Sequence, residues 1–328
     1  MILNTMDDLQ DNTWFRLAQS VSEALQQSQP IVCLESTVIS HGLPRPLNLE
    51  TALECEAAIS RLEAVPATVG VIDGVPAIGL TREQIEQMAT GKAPDGSRIE
   101  KVTLNNLSAV MATRRWGATT VAGSIRIATL GGSRYDEIPR PLVFSTGGIG
   151  GVHRGAEANL DISADLTALG SMQILCVAAG AKAVLDLPKT LEYLETLGVP
   201  VVGYQTNEFP AFYSRSSNLP VDVTVTSPTE AAAVAVTHWR TGGRGAVLVC
   251  VPLPREFDIS VEDVEEMTGE AIKRAAEAGV RGKAVTPFLL SEMEKLSGGK
   301  TLAANRALLV NNARAAAEIA CELKAFQG

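Results

Sequence analysis

The chain has 328 residues, 46% of them hydrophobic, and a net charge of −9. That length and apolar content support a large core. The acidic balance excludes a general nucleic-acid coat, so an anionic ligand must be met by a local basic pocket.

Residues 1–29 begin with the acidic stretch MILNTMDDLQDNTWF, which has no apolar signal core. They read as a helical lead-in, with a helix over 13–27, and not as an export signal. Strand-like runs follow at 31–39, 67–72, 75–79, 118–122, 141–145, 173–178, 200–204, 221–225 and 245–251. Helical spacing predicts helices over 48–64, 81–90, 104–115, 187–197, 228–241, 260–278 and 300–323. Asp73-Gly74 between two strand runs signals a hairpin. Asn48, Thr81 and Ser227 are candidate helix caps. Gly131–Leu142 is polar, carries proline and reads as a loop. The alternation predicts one domain over 1–328, a three-layer α/β/α sandwich around a mixed β-sheet.

No apolar stretch reaches membrane-spanning length. The five cysteines are scattered with no C-x-x-C pair, which argues against structural zinc and for a reduced, cytoplasmic protein.

Several segments carry chemistry. Glu35 stands at the end of the run 31–39, where partial burial would raise its pKa and suit a general acid. The alternative is a structural glutamate, and His41 just after it reads as a turn histidine. Lys101 precedes the helix 104–115 and reads as a solvated charge when taken alone. Gly117–Ala122 is a run of small residues that lets backbone approach a ligand. Ser145–Gly155, with Thr146, His153 and Arg154 among its glycines, fits an anion cradle or a glycine-rich turn. It is not a Walker loop.

Asp161 and Asp165 are four apart with Ser163 and Ala164 between them. They suit a hard divalent cation held largely by water, or a helix start with its cap. Lys182 ends the apolar run Ile174–Ala181, one of only nine lysines. Desolvation there would free an amine able to form a Schiff base. Asn305 opens the last helix and suits either local backbone or a ligand amide. These parts fit a lysine enzyme acting on a phosphorylated sugar. Spacing does not separate an aldolase from a glycosidase.

Taken in order, Leu34–Pro44, Gly117–Ala122, Thr146–Gly155, Asp161–Leu166, Ala179–Lys182, Glu208–Ser217, Arg281–Leu290 and Leu302–Asn305 resemble the pseudouridine-5′-phosphate glycosidase family, the indigoidine synthase A-like proteins. The resemblance runs from about Ile31 to about Ala320. It implies cleavage of the C–C bond of pseudouridine 5′-phosphate to uracil and ribose 5-phosphate. It implies Lys182 as nucleophile at C1′, Glu35 as proton donor and Asp161 as ligand to Mn²⁺. Lys101, Val121, Ser163, Ala164 and Asp165 match substrate contacts. Thr146 and His153 are assigned to phosphate and Asn305 to uracil. A homotrimer and a separate pseudouridine kinase are implied too. Val251, Gln205 and Asn207 depart from the family pattern, and 131–142 looks longer than its usual counterpart. A C–C bond offers no heteroatom to protonate, so the two-carboxylate route of O-glycosides does not transfer. An imine supplies the electron sink, and the released uracil carbon needs a proton.

Overall fold

Short aliphatic runs buried on both faces build a parallel sheet, because such strands are covered by helices on each side. Ile31–Leu34, Ile174–Ala178 and Val247–Cys250 are runs of this kind. The computed structural model describes residues 14–133, 142–280 and 285–326. In chain order the first elements are β1 (Arg16–Leu17), α1 (Gln19–Gln26), β2 (Ile31–Leu34), α2 (Leu47–Ser60), β3 (Val65–Ile72), β4 (Val75–Ile78) and α3 (Arg82–Ala89). Then come β5 (Glu100–Val102), α4 (Leu107–Ala112), β6 (Gly117–Thr119), α5 (Val121–Ser133), β7 (Leu142–Ser145), α6 (Ala156–Asn159), α7 (Ala164–Ser171) and β8 (Ile174–Ala178). The rest are α8 (Leu187–Thr196), β9 (Val201–Tyr204), β10 (Val223–Val225), α9 (Pro228–Arg240), β11 (Val247–Cys250), α10 (Val261–Glu277), α11 (Val285–Leu296) and α12 (Lys300–Ala325).

The sheet is mixed, as expected. Its path is β1-β4-β3-β2-β7-β8-β11-β9-β10, with β6 on β3 and β5 on β6. From β3 to β10 every neighbour is parallel, whereas β4 and β6 run antiparallel to β3. The β3–β4 hairpin turns at Asp73-Gly74, both at positive φ. Helices α2, α9 and α12 pack on one face, and α5, α7 and α8 on the other. Helix α12 reaches the sheet closely because its inner face is small: Ala313, Ala316, Ala317 and Ala320 are buried. The molecule is thus the α/β/α single domain read from the sequence.

Several boundaries differ. Strand β2 stops at Leu34, not at 39. Ser36 donates its N–H to Thr119 O and its hydroxyl to Val69 O, which pulls the chain across β3 and β6. Val38–Gly42 then winds into one π-helical turn. The strand expected over 118–122 ends at Thr119. Thr120 accepts the Gly123 N–H on its hydroxyl and the Ser124 N–H on its carbonyl, and so starts α5. Helices α5 and α11 fall where no helix was expected, and α7 takes up the helix start that was one reading of Asp161 and Asp165. Thr81 and Ser227 do cap their helices. Asn48 does not: it lies inside α2, donating to Ile39 O and Ala89 O. The lead-in contains β1 as well as α1, and most of the loop expected over 131–142 lies outside the described residues. All five cysteines are free.

Candidate active site

Strands β2, β7 and β8 are adjacent and parallel, and each delivers a side chain beyond its carboxyl end. Ligands of open α/β sheets bind at such ends. Glu35 follows β2, Thr146 follows β7 and Lys182 follows β8. Glu35 and Lys182 line a cleft of about 750 Å³. Lys182 Nζ donates to Gly148 O at 2.8 Å. The lysine is therefore half-buried with a polar anchor and does not simply face an apolar wall. Burial pushes the Glu35 carboxyl above the ordinary glutamate range, against the opposing charge of Lys182 and the Thr146 hydrogen bond. The nearby Asp165 charge adds to the rise.

Thr146 is 1% exposed, and its hydroxyl donates to Glu35 Oε1 in a very short contact. It lies behind the cleft wall, where its hydroxyl gives Glu35 an orienting contact. Buried Asn312 on α12 in turn holds this corner, donating to Thr146 O at 2.8 Å and Gly147 O at 3.2 Å.

The glycine run is neither of the two forms that the sequence suggests. It prolongs the parallel pairing of β7 with β8: Thr146 N–H goes to Val177 O, Ala179 N–H to Gly147 O and Ile149 N–H to Gly180 O. Gly150 N–H is taken by Asp165 and Val152 N–H by the Thr190 hydroxyl. Of its glycines only Gly155 has positive φ. The others allow close approach. A Cβ on Gly150 would sit 2.2 Å from Ser163 Oγ, and one on Gly151 2.3 Å from Thr190 Oγ1. Gly180 combines both demands, with φ +74° and Pro210 O 1.9 Å from where a Cβ would stand. Gly180→Ala is expected to cost at least ~3 kcal/mol in a denaturant melt, because backbone on the Lys182 turn must move.

Of the two readings of the carboxylate pair, the helix start is seen, with Ser163 and not Asp161 as its cap. Asp165 is buried in the first turn of α7, and its two oxygens accept Ala122 N–H at 2.9 Å and Gly150 N–H at 2.8 Å. Ser163 caps that helix by accepting the Asp165 N–H. Ala164 follows on the cleft wall. Asp161 precedes the helix and also lines the cleft, as does His153. Burial lowers the pKa of His153, with the Asp161 charge opposing and that of Lys182 assisting. Among the described residues no cluster of three or more His, Cys, Asp or Glu side chains could cage a metal. Asp161 alone fits a cation held mainly by water.

Lys101 and Val121 reach the cleft from β5 and the start of α5, and Asn305 from α12. His41 also lines it, in the π turn, and among the described residues its buried Nδ1 has no hydrogen-bond partner. Its ring does hydrogen-bond the Ile99 backbone, so the turn histidine that the sequence suggests is satisfied in part. Sequence reasoning missed Phe212, Tyr213 and the α11 face of Pro287, Leu290, Ser291 and Glu294, all on the cleft. The 3–4 spacing of the last four was the available signal. The departures lie elsewhere: Val251 is buried beside β8, and Gln205 sits at φ +56°, a conformation glycine adopts more readily.

No helix among the described residues is long and apolar enough to cross a membrane. The sequence profile of indigoidine synthase A-like proteins matches residues 20–322. A pseudouridine-5′-phosphate glycosidase of Herpetosiphon aurantiacus is 50% identical over 307 residues, covering 94% of this chain and 97% of its own. Another, from Caldanaerobacter subterraneus, is 47% identical over 312 residues, covering 95% and 97%. Two solved structures share the fold. The prealnumycin C-glycosynthase AlnA in complex with ribulose 5-phosphate has a TM-score of 0.85 at 36% identity, covering 97% of this chain and 99% of that one. An indigoidine synthase A-like protein from Thermotoga maritima has a TM-score of 0.82 at 31% identity, covering 96% and 98%. Fold, profile and near full-length identity together show that the chain belongs to the indigoidine synthase A-like family, which includes the pseudouridine-5′-phosphate glycosidases.

Proposed function

We propose that this enzyme cleaves the C–C glycosidic bond of pseudouridine 5′-phosphate, giving uracil and ribose 5-phosphate by a reversible route through a Lys182 imine. The observation that carries the reading is one amine and one proton-holding carboxyl on the same cleft, at the ends of β2 and β8. The names of the relatives support the substrate, and the ribulose 5-phosphate complex of the C-glycosynthase supports a pentose-phosphate site.

In this reading Lys182 Nζ bonds C1′ and the C1′–O4′ bond opens, the amine proton balancing the freed oxygen. Glu35 gives its proton to uracil C5. The C1′–C5 bond then breaks, its electron pair restoring the C5=C6 bond while the nitrogen lone pair closes the imine. Water hydrolyses the imine and frees the lysine. The Gly148 carbonyl orients the amine, and Thr146 orients the acid. Lys101 and the start of α5 at Val121 receive the phosphate, with His153, Ser163, Ala164 and Asp165 shaping that wall. Asn305 reads the base. Asp161 would hold a water-ligated Mn²⁺, which when bound supplies positive charge to the anionic substrate.

The same reading includes a homotrimer, a cytoplasmic location suited to free thiols, and a separate kinase that makes the phosphorylated nucleoside. Incubation with pseudouridine 5′-phosphate and Mn²⁺ should release uracil, measured by chromatography. Absence of uracil from active-site-intact protein would sink the proposal.

A further inference from the structure

The base end of the cleft contains one group whose role is unassigned. Asn305 and Phe212 flank the two glycines beside Lys182. A Cβ on Gly147 would lie 3.5 Å from Asn305 Oδ1, and one on Gly148 2.5 Å from the Phe212 ring. Gly148 O is also the acceptor of Lys182 Nζ. A base attached to the carbon that Lys182 attacks therefore falls against Phe212 and Asn305. Phe212 stacks edge-on with Tyr213 at 4.7 Å, giving that end an aromatic wall. Tyr213 is 2% exposed, and its hydroxyl is held in the neutral form by burial and, second, by the charge of Glu294. Glu294 lines the same cleft as the aromatic pair.

Glu294 lies on the cleft face of α11, half-buried. Among the described residues its carboxylate has no hydrogen-bond or ion-pair partner. Its neighbour Glu292, by contrast, is paired with both Arg274 and Lys295. A half-desolvated carboxylate without a donor is suited to take one from a ligand. C-linked uracil has two ring N–H groups, at N1 and N3, and both are free. The N-linked isomer has lost the one at N1.

We propose that Glu294 is a specificity-determining residue that accepts a ring N–H of the C-linked uracil. The inference rests on the glycosidase reading and names what selects its base. A charge-assisted hydrogen bond made to one N–H rejects analogues lacking it far more strongly than an apolar contact would.

The test compares wild type, Glu294→Gln and Glu294→Ala on pseudouridine 5′-phosphate and its N1-methyl and N3-methyl derivatives. Glu294→Ala should lower kcat/KM for the parent by about 10- to 100-fold, mainly through KM. Its discrimination against one of the two methyl derivatives should collapse. Glu294→Gln, which keeps an acceptor oxygen without the charge, should fall between. Borohydride trapping by ribose 5-phosphate, which has no base, should be unchanged in both variants. Unchanged discrimination against both derivatives would overturn the role and leave Glu294 a solvated rim charge. Failure of wild type to trap ribose 5-phosphate would instead count against the imine chemistry.

Discussion

Lys182→Ala is expected to lower turnover by about 10⁴-fold or more and to abolish borohydride trapping of ribose 5-phosphate. Alanine removes the nitrogen assigned to the imine, so no repacking restores the route. Lys182→Arg should be equally inactive, because a guanidinium that stays protonated is no nucleophile. Stability should change little. Among the described residues the amine donates one hydrogen bond, to Gly148 O, and the side chain is half-buried and outside the core. Lys101 supplies the internal control, since it is the other lysine on the cleft among the described residues. Lys101→Ala should weaken substrate binding and keep the trapped adduct. Mass spectrometry of the reduced adduct reads both outcomes. A label found on Lys101, or turnover by Lys182→Ala above about one per cent of wild type, would reject the assignment.

The parts that were legible in the sequence share one property: local pattern and tertiary burial agree there. Ile174–Ala178 is apolar throughout and is buried throughout, so both the strand and the odd lysine after it could be read. Asp73-Gly74 fixed the hairpin by turn chemistry alone. The failures come where tertiary contacts override local preference. Val121–Ser133 opens with a valine and includes two isoleucines and three glycines, all weak helix formers. Packing of α5 against α7 and the sheet makes it a helix nonetheless. The glycine run was read for backbone freedom, because composition shows what glycine permits and not what surrounds it. Its glycines instead leave room for Ser163, Thr190 and Phe212, side chains met only through the fold. The Asp161/Asp165 pair was legible only as far as its helix start, which the structure has at Ala164 with Asp165 in the first turn. Sequence spacing gives their separation along the chain, and the two backbone donors that occupy Asp165 come from distant segments.

Glu35→Gln is expected to separate activity from stability. Turnover should fall by about 10²- to 10⁴-fold, because glutamine has no proton to give to uracil C5. Trapping of ribose 5-phosphate should survive, since the acid acts on the base and not on the imine nitrogen. The fold should gain. The Glu35 pKa is raised chiefly by burial, so the native state prefers the protonated acid. The resulting stabilisation is complete below the ordinary glutamate value and is lost as pH rises through the raised one. Glutamine is neutral at every pH and still accepts the Thr146 hydroxyl on its amide oxygen. The variant should therefore melt about 1–3 °C above wild type near pH 8, and the gap should close below about pH 4. Melts of both proteins across that range isolate this one group, because every other carboxylate is common to the pair. A constant gap at all pH values would mean that the change acts through packing. A lower melting temperature at pH 8 would mean that the attraction of Lys182 outweighs burial, and Glu35 would then be a poor store for the proton.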